Sequence, residues 1–199
     1  MKTLYFDCAM GAAGDMLTAA LLELLPNPQE FVNQLNTLGI PGVTFANENT
    51  VKCGIYGTHM QVLIHGKEEH AHEHEPRHHH TEHIHEHIHE HTHHHHTGLH
   101  EIEHIVSHFP IDERIKKDIL SIYHIIAEAE SHAHGVPVSQ IHFHEVGNMD
   151  AVADITAVCM LIHQLRPDEI VVSPIHVGSG YAMISRTSSS ILPVFTIKR

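Results

Sequence analysis

A tract of histidines dominates the chemistry that this sequence can offer. Between His70 and His104 it holds 17 histidines in 35 positions, interleaved with glutamates and very few apolar residues. Imidazole is the commonest metal-ligating side chain, and nickel, zinc and copper ions all bind it. Because this composition cannot form a packed core, we interpret the tract as a disordered arm that collects divalent transition-metal ions. Its candidate ligands are His83, His85, His87, His89, His93, His94, His95 and His96.

A second group of candidate ligands lies late in the chain. A short strand would place His142 and His144 on one face, and the following helix would place Asp150 and Asp154 four residues apart, opposite its apolar stripe. Two imidazoles and up to three carboxylates, with Glu145 among them, would then converge at a strand-to-helix turn and suit a borderline divalent ion. The alternative is structural: a first-turn acid favoured by the helix dipole, a solvated carboxylate and ordinary strand histidines.

A third group surrounds a loop of small residues near the N-terminus. Asp7 ends a short apolar run, and Gly11, Gly14 and Asp15 follow it just before a helical pattern. Glycines at a strand-to-helix turn allow an anionic ligand to approach the backbone, and Asp15 is suited to a metal ion or a metal-bridged phosphate. The pattern matches neither the dinucleotide-binding glycine motif nor the Walker loop. Tight helix packing, with Asp15 as a first-turn acid, is the alternative.

Composition limits the classes of partner and the compartment. With histidines neutral, 24 acidic and 11 basic residues give a net charge of −13, which disfavours binding to nucleic acids. The three cysteines, Cys8, Cys53 and Cys159, form no paired motif, so we expect reduced thiols in the cytoplasm. The apolar stretches are too short to span a membrane, and we expect no membrane partner.

Strands and helices alternate along the chain and would position these groups. We predict strands at residues 3–6, 43–55, 58–64, 141–144 and 170–172, and helices at residues 16–25, 29–38, 99–109, 112–131 and 149–165. Asn148 is the predicted N-cap of the last helix. The expected fold is α/β or α+β, a small mixed sheet with packed helices. Residues 1–69 and 99–180 would form one globular domain, interrupted by the disordered insert at 70–98 and followed by an irregular tail at 181–199.

Taken together, these motifs resemble the LarC family of nickel-insertion proteins. Asp7 and the motif Gly11-Ala12-Ala13-Gly14-Asp15 precede a mid-chain histidine-rich insert, and His142-Phe143-His144-Glu145-Val146-Gly147 follows it with Asp150 and Asp154. A Gly-Ser-Gly segment at residues 178–180 also matches. The order and spacing of separate motifs make the resemblance more specific than any one of them.

The resemblance implies a role in making the nickel-pincer cofactor of lactate racemase. Family members insert nickel into pyridinium-3,5-bisthiocarboxylic acid mononucleotide in a CTP-dependent reaction, in which magnesium or manganese would accompany the CTP. The chain would be part of a nickel-inserting cyclometallase of the lyase class. We take Glu145 and His142 as catalytic candidates, because a carbon–nickel bond forms only as a ring proton leaves. The nucleotide and its ion would be held by Asp7, Gly11, Gly14 and Asp15, and the nickel by His142, His144, Asp150 and Asp154.

The C-terminal end departs from the family pattern. Family members continue past the Gly-Ser-Gly segment into a further domain of similar size, whereas here a serine-rich stretch runs to Arg199. We therefore expect this chain to be the N-terminal part alone, through a split gene, a frameshift or a truncation. It would need the C-terminal portion as a partner to complete the reaction, and the lactate racemase apoprotein is a further expected partner.

Two other functional classes remain as alternatives. One is a nickel or zinc storage and delivery protein without a catalytic step, in which the histidine tract binds the metal and the globular part contacts a client. The other is a metal-dependent hydrolase that uses the cluster at His142, His144 and Glu145. The second ranks last, because no Ser, Cys or His-Asp triad pattern occurs elsewhere in the chain.

Overall fold

The computed structural model describes residues 1–68, 97–143 and 145–177, which form five α-helices and three small sheets. This mixed α/β architecture confirms the predicted fold class. The tract ligands at residues 83–96, His144 and the tail at 181–199 lie outside the described residues.

The first sheet joins the two ends of the described chain. Strand β1 (Thr3–Phe6) pairs in parallel with β7 (Glu169–Val172), so that Thr3 lies opposite Glu169 and Phe6 opposite Val172. Parallel strands are normally covered on both faces. Here every residue of β7 is exposed, and Tyr5 of β1 is 60% exposed. This sheet, which we call the β1–β7 sheet, therefore presents apolar surface to solvent.

The second sheet is an antiparallel hairpin with a short third strand. Strand β2 (Val43–Lys52) pairs with β3 (Ile55–Ile64), and β3 pairs with β4 (Lys67–Glu68). The predicted hairpin is confirmed, but β3 begins three residues earlier than expected. The reason is the two-residue turn at Cys53 and Gly54, whose φ angles of 53° and 80° are typical of the turns that match hairpin twist.

The five helices follow their sequence signals closely. They are α1 (Gly14–Leu22), α2 (Pro28–Leu35), α3 (Leu99–Ser107), α4 (Glu113–His134) and α5 (Met149–Leu165). The predicted α5 and its cap are confirmed, since the Asn148 side chain accepts a hydrogen bond from the Ala151 N–H at 2.8 Å. Helix α4 runs three residues further than predicted and ends at Gly135, whose φ of 66° suits a glycine.

The core lies around α5, which packs against α1 on one side and α4 on another. Helix α3 packs on α4, and α1 also contacts β3. Leu22, Tyr123, Val152 and Leu161 have no exposed surface in this core. Full burial of each aliphatic side chain contributes about 1.5–3 kcal/mol, so these contacts fix the relative positions of α1, α4 and α5.

A third, two-stranded sheet closes the segment before α5. Strand β5 (Thr97–Gly98) pairs antiparallel with β6 (His142–Phe143), and short 3-10 turns lie on either side of β6 at Val138–Gln140 and Glu145–Gly147. Within the described part of the chain, no helix has the length and apolar character needed to cross a membrane.

The cap of α5 should make a measurable contribution to stability. Replacing Asn148→Ala removes the acceptor for the Ala151 N–H and should lower the free energy of unfolding by about 1 kcal/mol. Asn148→Asp keeps an acceptor at the same place and should recover most of that loss. Urea denaturation of the three proteins measures both effects, and equal stability of the Ala and Asp variants would contradict the capping role.

Candidate functional site

The first turn of α1 touches the second turn of α5 at a glycine. A Cβ atom at Gly14 would lie 2.4 Å from Asp154 Oδ2 and 2.5 Å from its Cβ and Cγ. Side chains do not approach one another so closely, so only glycine allows α1 and α5 to meet in this way. The predicted packing role of the small-residue loop is therefore present, and it brings Gly14 and Asp154 together.

Asp154 is the most perturbed acid at this contact. Its Oδ1 atom is buried without a hydrogen-bond partner. Burial, followed by the negative charges of Asp150 and Asp15, raises its pKa to about 7, and a hydrogen bond from the Asp15 backbone N–H acts in the opposite direction. Helix α1 begins after Ala13, which has no side chain that can cap it. Asp154 thus supplies, from another helix, an acceptor to the N-terminus of α1.

The sequence placed Asp154 on a face of α5 away from the apolar stripe, and the structure corrects this expectation. Helix α5 is covered by α1 as well as α4, so its buried residues, such as Ala153, Ala157 and Leu161, extend around most of the helix. The second covering helix brings the Asp154 carboxylate into a partly apolar setting. Asp154 is therefore partly buried, with one oxygen shielded from solvent, and is not a fully exposed surface acid.

Three carboxylates share this region, which we call the carboxylate cluster: Asp15, Asp150 and Asp154. Asp15 lies in the first turn of α1 and Asp150 in the first turn of α5, and both raise the pKa of Asp154. Mutual repulsion of like charges in a half-buried place is relieved by a bound cation. Carboxylate oxygens suit hard ions such as Mg²⁺ or Mn²⁺, but in the described structure these three groups are not placed to hold one such ion together.

The loop before α1 is tied to the segment that follows β7. The Cys8 carbonyl accepts hydrogen bonds from the N–H groups of Gly11 and His176, each at 3.0 Å, and the Cys8 N–H donates to Ser173 Oγ at 2.8 Å. Gly11 has a φ of 93°, a conformation that glycine adopts without strain. Asp7 is exposed and accepts from the Ala9 N–H. The loop is thereby held at the carboxyl ends of β1 and β7.

The predicted histidine ligands are placed only in part. His142 is exposed in β6, opposite Gly98. Glu145 begins a 3-10 turn. Its side chain and the whole of His144 do not belong to the part of the chain that the structure describes. Across residues 1–68, 97–143 and 145–177, no three His, Cys, Asp or Glu side chains are placed to hold one metal ion. Convergence of His142 and His144 with Asp150 and Asp154 therefore stays a prediction.

Tyr123 is a residue at this site that the sequence did not reveal. It is fully buried on α4, and its hydroxyl has no hydrogen-bond partner. Burial and the charge of Asp154 raise its pKa. Its ring also packs on Phe143 of β6, with centroids 5.7 Å apart. Tyr123 thus lies near both the carboxylate cluster and the strand that carries His142. The only signal was a hydroxyl-bearing side chain within the apolar stripe of α4.

Cys8 and Cys159 are buried and Cys53 is exposed at a hairpin turn, and all three are free. Burial, and secondarily the charge of Asp118, raises the pKa of the Cys159 thiol to about 12, so that this group is an inert core residue.

Comparison with known proteins decides the family. The family model for nickel insertion proteins matches residues 4–194, which is nearly the whole chain. The chain belongs to the nickel insertion protein family. No solved structure matches it.

Several relatives carry the same full name, pyridinium-3,5-bisthiocarboxylic acid mononucleotide nickel insertion protein. The protein from Clostridium acetobutylicum is 40% identical, and the match covers 98% of this chain and 47% of the relative. The protein from Clostridium kluyveri is 34% identical, and the match covers 98% of this chain and 45% of the relative. The protein from Lactiplantibacillus plantarum is also 34% identical, and the match covers 93% of this chain and 43% of the relative. The chain therefore spans less than half the length of these curated relatives.

Gly14→Ala tests the contact between α1 and α5. The new methyl group would meet the Cβ of Asp154, which no rotation of the aspartate can remove, so the helices must separate. We expect a loss of about 1–3 kcal/mol in the free energy of unfolding, although alanine is the better helix former. Gly57→Ala is the control, because its Cβ would meet nothing closer than 3.9 Å. If the Gly14→Ala variant is as stable as the parent in urea, the contact is contradicted.

The pH dependence of stability tests the state of Asp154. Its folded pKa of about 7 exceeds the ordinary 3.8, so between pH 4 and 7 the folded protein keeps a proton that the unfolded chain has lost. Stability should therefore fall as pH rises through this window, relative to Asp154→Asn, and level off above it. Allowing for solvent screening, the difference should change by on the order of 2 kcal/mol.

Denaturation of both proteins in urea at several pH values measures this difference. Titration of the 27 histidines that both proteins share cancels in the comparison. A stability difference that stays constant across the window would show that Asp154 titrates normally.

Proposed function

We propose that this chain binds nickel and takes part in its insertion into pyridinium-3,5-bisthiocarboxylic acid mononucleotide, the compound in the names of its relatives. Family membership and these names support the reaction type. The structural observation that carries the proposal is the carboxylate cluster, where a buried oxygen of Asp154 has no partner beside two further acids. A buried carboxyl oxygen without a partner gains one when a cation binds, and the cation also favours the ionised form of the carboxyl group.

We assign the candidate carboxylate and imidazole ligands to two different tasks. Carboxylate oxygens near the glycine loop suit the ion that accompanies a nucleotide phosphate. Asp15, with Asp7, Gly11 and Gly14, would hold this phosphate through Mg²⁺ or Mn²⁺. Imidazole nitrogens suit nickel, which His142 and His144 would bind with support from Asp150 and Asp154. These assignments extend the predicted roles and are supported by the placement of Asp15, Asp150 and Asp154 in one cluster.

Formation of a carbon–nickel bond requires a base. The bond forms at a ring carbon whose hydrogen leaves as a proton, so a neutral imidazole or a carboxylate must accept it. His142 and Glu145 are the candidates, since both lie on the short stretch that leads from β6 into α5. The exposure of His142 leaves it accessible to a substrate.

The complete reaction would need the portion of the relatives that this chain does not match. We assign the dependence on CTP to the complete protein. In the cell, the complete protein would supply the finished cofactor to lactate racemase. The β1–β7 sheet supports such a partner, because Ile170, Val171 and Val172 are 39–50% exposed and a two-stranded sheet is marginal alone. Covering or extending it would bury apolar side chains beside the loop that leads into α1.

Storage without insertion is the second candidate function, and the composition of the histidine tract favours it. A reservoir raises the local concentration of metal without a defined site. Replacing the eight candidate tract histidines, from His83 to His96, by glutamine separates the two functions. For an insertion protein, product formation should fall when nickel is scarce and recover when nickel is saturating. A loss at all nickel concentrations would place the tract in the mechanism itself.

His142→Ala tests the proposed nickel and base role. In an assay that combines this chain with the remaining family portion, nickel incorporation into the mononucleotide is followed by mass spectrometry. We expect a decrease of about a hundredfold at saturating nickel, as for loss of a general base. His132→Ala, at an exposed position on α4, is the matched control. An unchanged rate for His142→Ala would remove that residue from the site.

A further inference from the structure

His104, in the last turn of α3, and His108, the C-terminal capping residue of that helix, form a pair that none of the roles above uses. They lie one turn apart on the exposed side of the helix, whereas Ile102 and Val106 face the core. Their ring centroids are 4.6 Å apart, with the ring planes tilted by 52°. Residues at positions i and i+4 of a helix are neighbours on one face. The backbone of α3 thus presents two imidazoles side by side.

The contacts of His108 Nδ1, with the His104 carbonyl oxygen at 2.8 Å and Ser107 Oγ at 3.2 Å, assign the tautomer of this ring. A carbonyl oxygen only accepts, so Nδ1 carries the hydrogen and the Nε2 atom keeps its lone pair. Histidines that bind metal ions commonly donate the other ring N–H to a backbone carbonyl or a carboxylate, which orients the ring. His108 already has that arrangement.

The spacing of the rings matches two ligands on one ion. With metal–nitrogen distances of about 2.1 Å, two imidazoles at right angles around an ion have their centroids about 4.5 Å apart. The observed 4.6 Å needs little adjustment. Pairs of histidines four residues apart on a helix bind zinc in this way in the metalloprotease motif.

We propose that His104 and His108 form a two-imidazole site for a divalent transition-metal ion, with Ni²⁺ as the physiological occupant. The choice of nickel rests on the proposed function. Within the described ranges, no third His, Cys, Asp or Glu side chain is grouped with the pair. The pair lies on the first helix that follows the histidine tract in the sequence, and this helix packs on α4. In the sequence the pair stands between the tract, which would collect the ion, and His142 and His144, which would bind it for insertion.

Residue-resolved footprinting on the full chain tests this site. Diethyl pyrocarbonate modifies imidazoles with a free lone pair, and mass spectrometry of peptides gives the rate at each histidine with and without NiCl₂. We expect nickel to slow modification of His104 and His108 by about fivefold once its concentration exceeds the dissociation constant several times. In His108→Ala the slowing at His104 should fall below about twofold, because one imidazole binds far more weakly than two.

His132→Ala is the matched control, since this exposed histidine lies on α4 away from the pair and its loss should leave the slowing at His104 intact. Slowing at His104 that persists in His108→Ala would overturn the paired site. Slowing confined to the tract histidines would also overturn it while leaving nickel binding by the chain in place. The absence of slowing at every histidine would overturn the proposed function as well.

Discussion

The contact between Gly14 and Asp154 is the constraint on which the rest of the site depends. Because position 14 has no side chain, α1 can lie directly on α5, and the aspartate is enclosed as the helices meet. Enclosure raises the pKa of Asp154 and leaves one of its oxygens without a partner. The same approach brings the first turns of both helices together, so that Asp15 and Asp150 join Asp154. The close contact of α1 with α5 and the raised pKa of Asp154 therefore have the same origin.

Such an arrangement is costly for a protein that only needs to be stable. Acids that repel each other in a half-buried place lower the stability of the fold above the pKa of the central group. Ion pairs are formed by acids elsewhere in the described residues, such as Glu103, Glu113 and Asp118, whereas Asp154 Oδ1 is buried without a hydrogen-bond partner. Strain of this kind is common where a site is prepared for a charged ligand.

Local signals in the sequence were enough to predict most of the elements. Helix α5 and its cap at Asn148 follow from an apolar periodicity and a capping side chain, both contained within a few residues. The burial of Asp154 could not be predicted, because it depends on α1, which lies far earlier in the chain. The role of Tyr123 could not be predicted for the same reason, because Tyr123, Asp154 and Phe143 lie on three separate elements that meet only in the folded protein.

The histidine-rich segment is attached to the fold at both ends by strand pairing. Strand β4 pairs with the end of β3 just before it, and β5 pairs with β6 just after it. Each register is fixed by its own partner strand, and loop-closure entropy grows only with the logarithm of loop length, by about 0.6 kcal/mol per doubling. Insertions and deletions between Glu68 and Thr97 can therefore accumulate without disturbing the core.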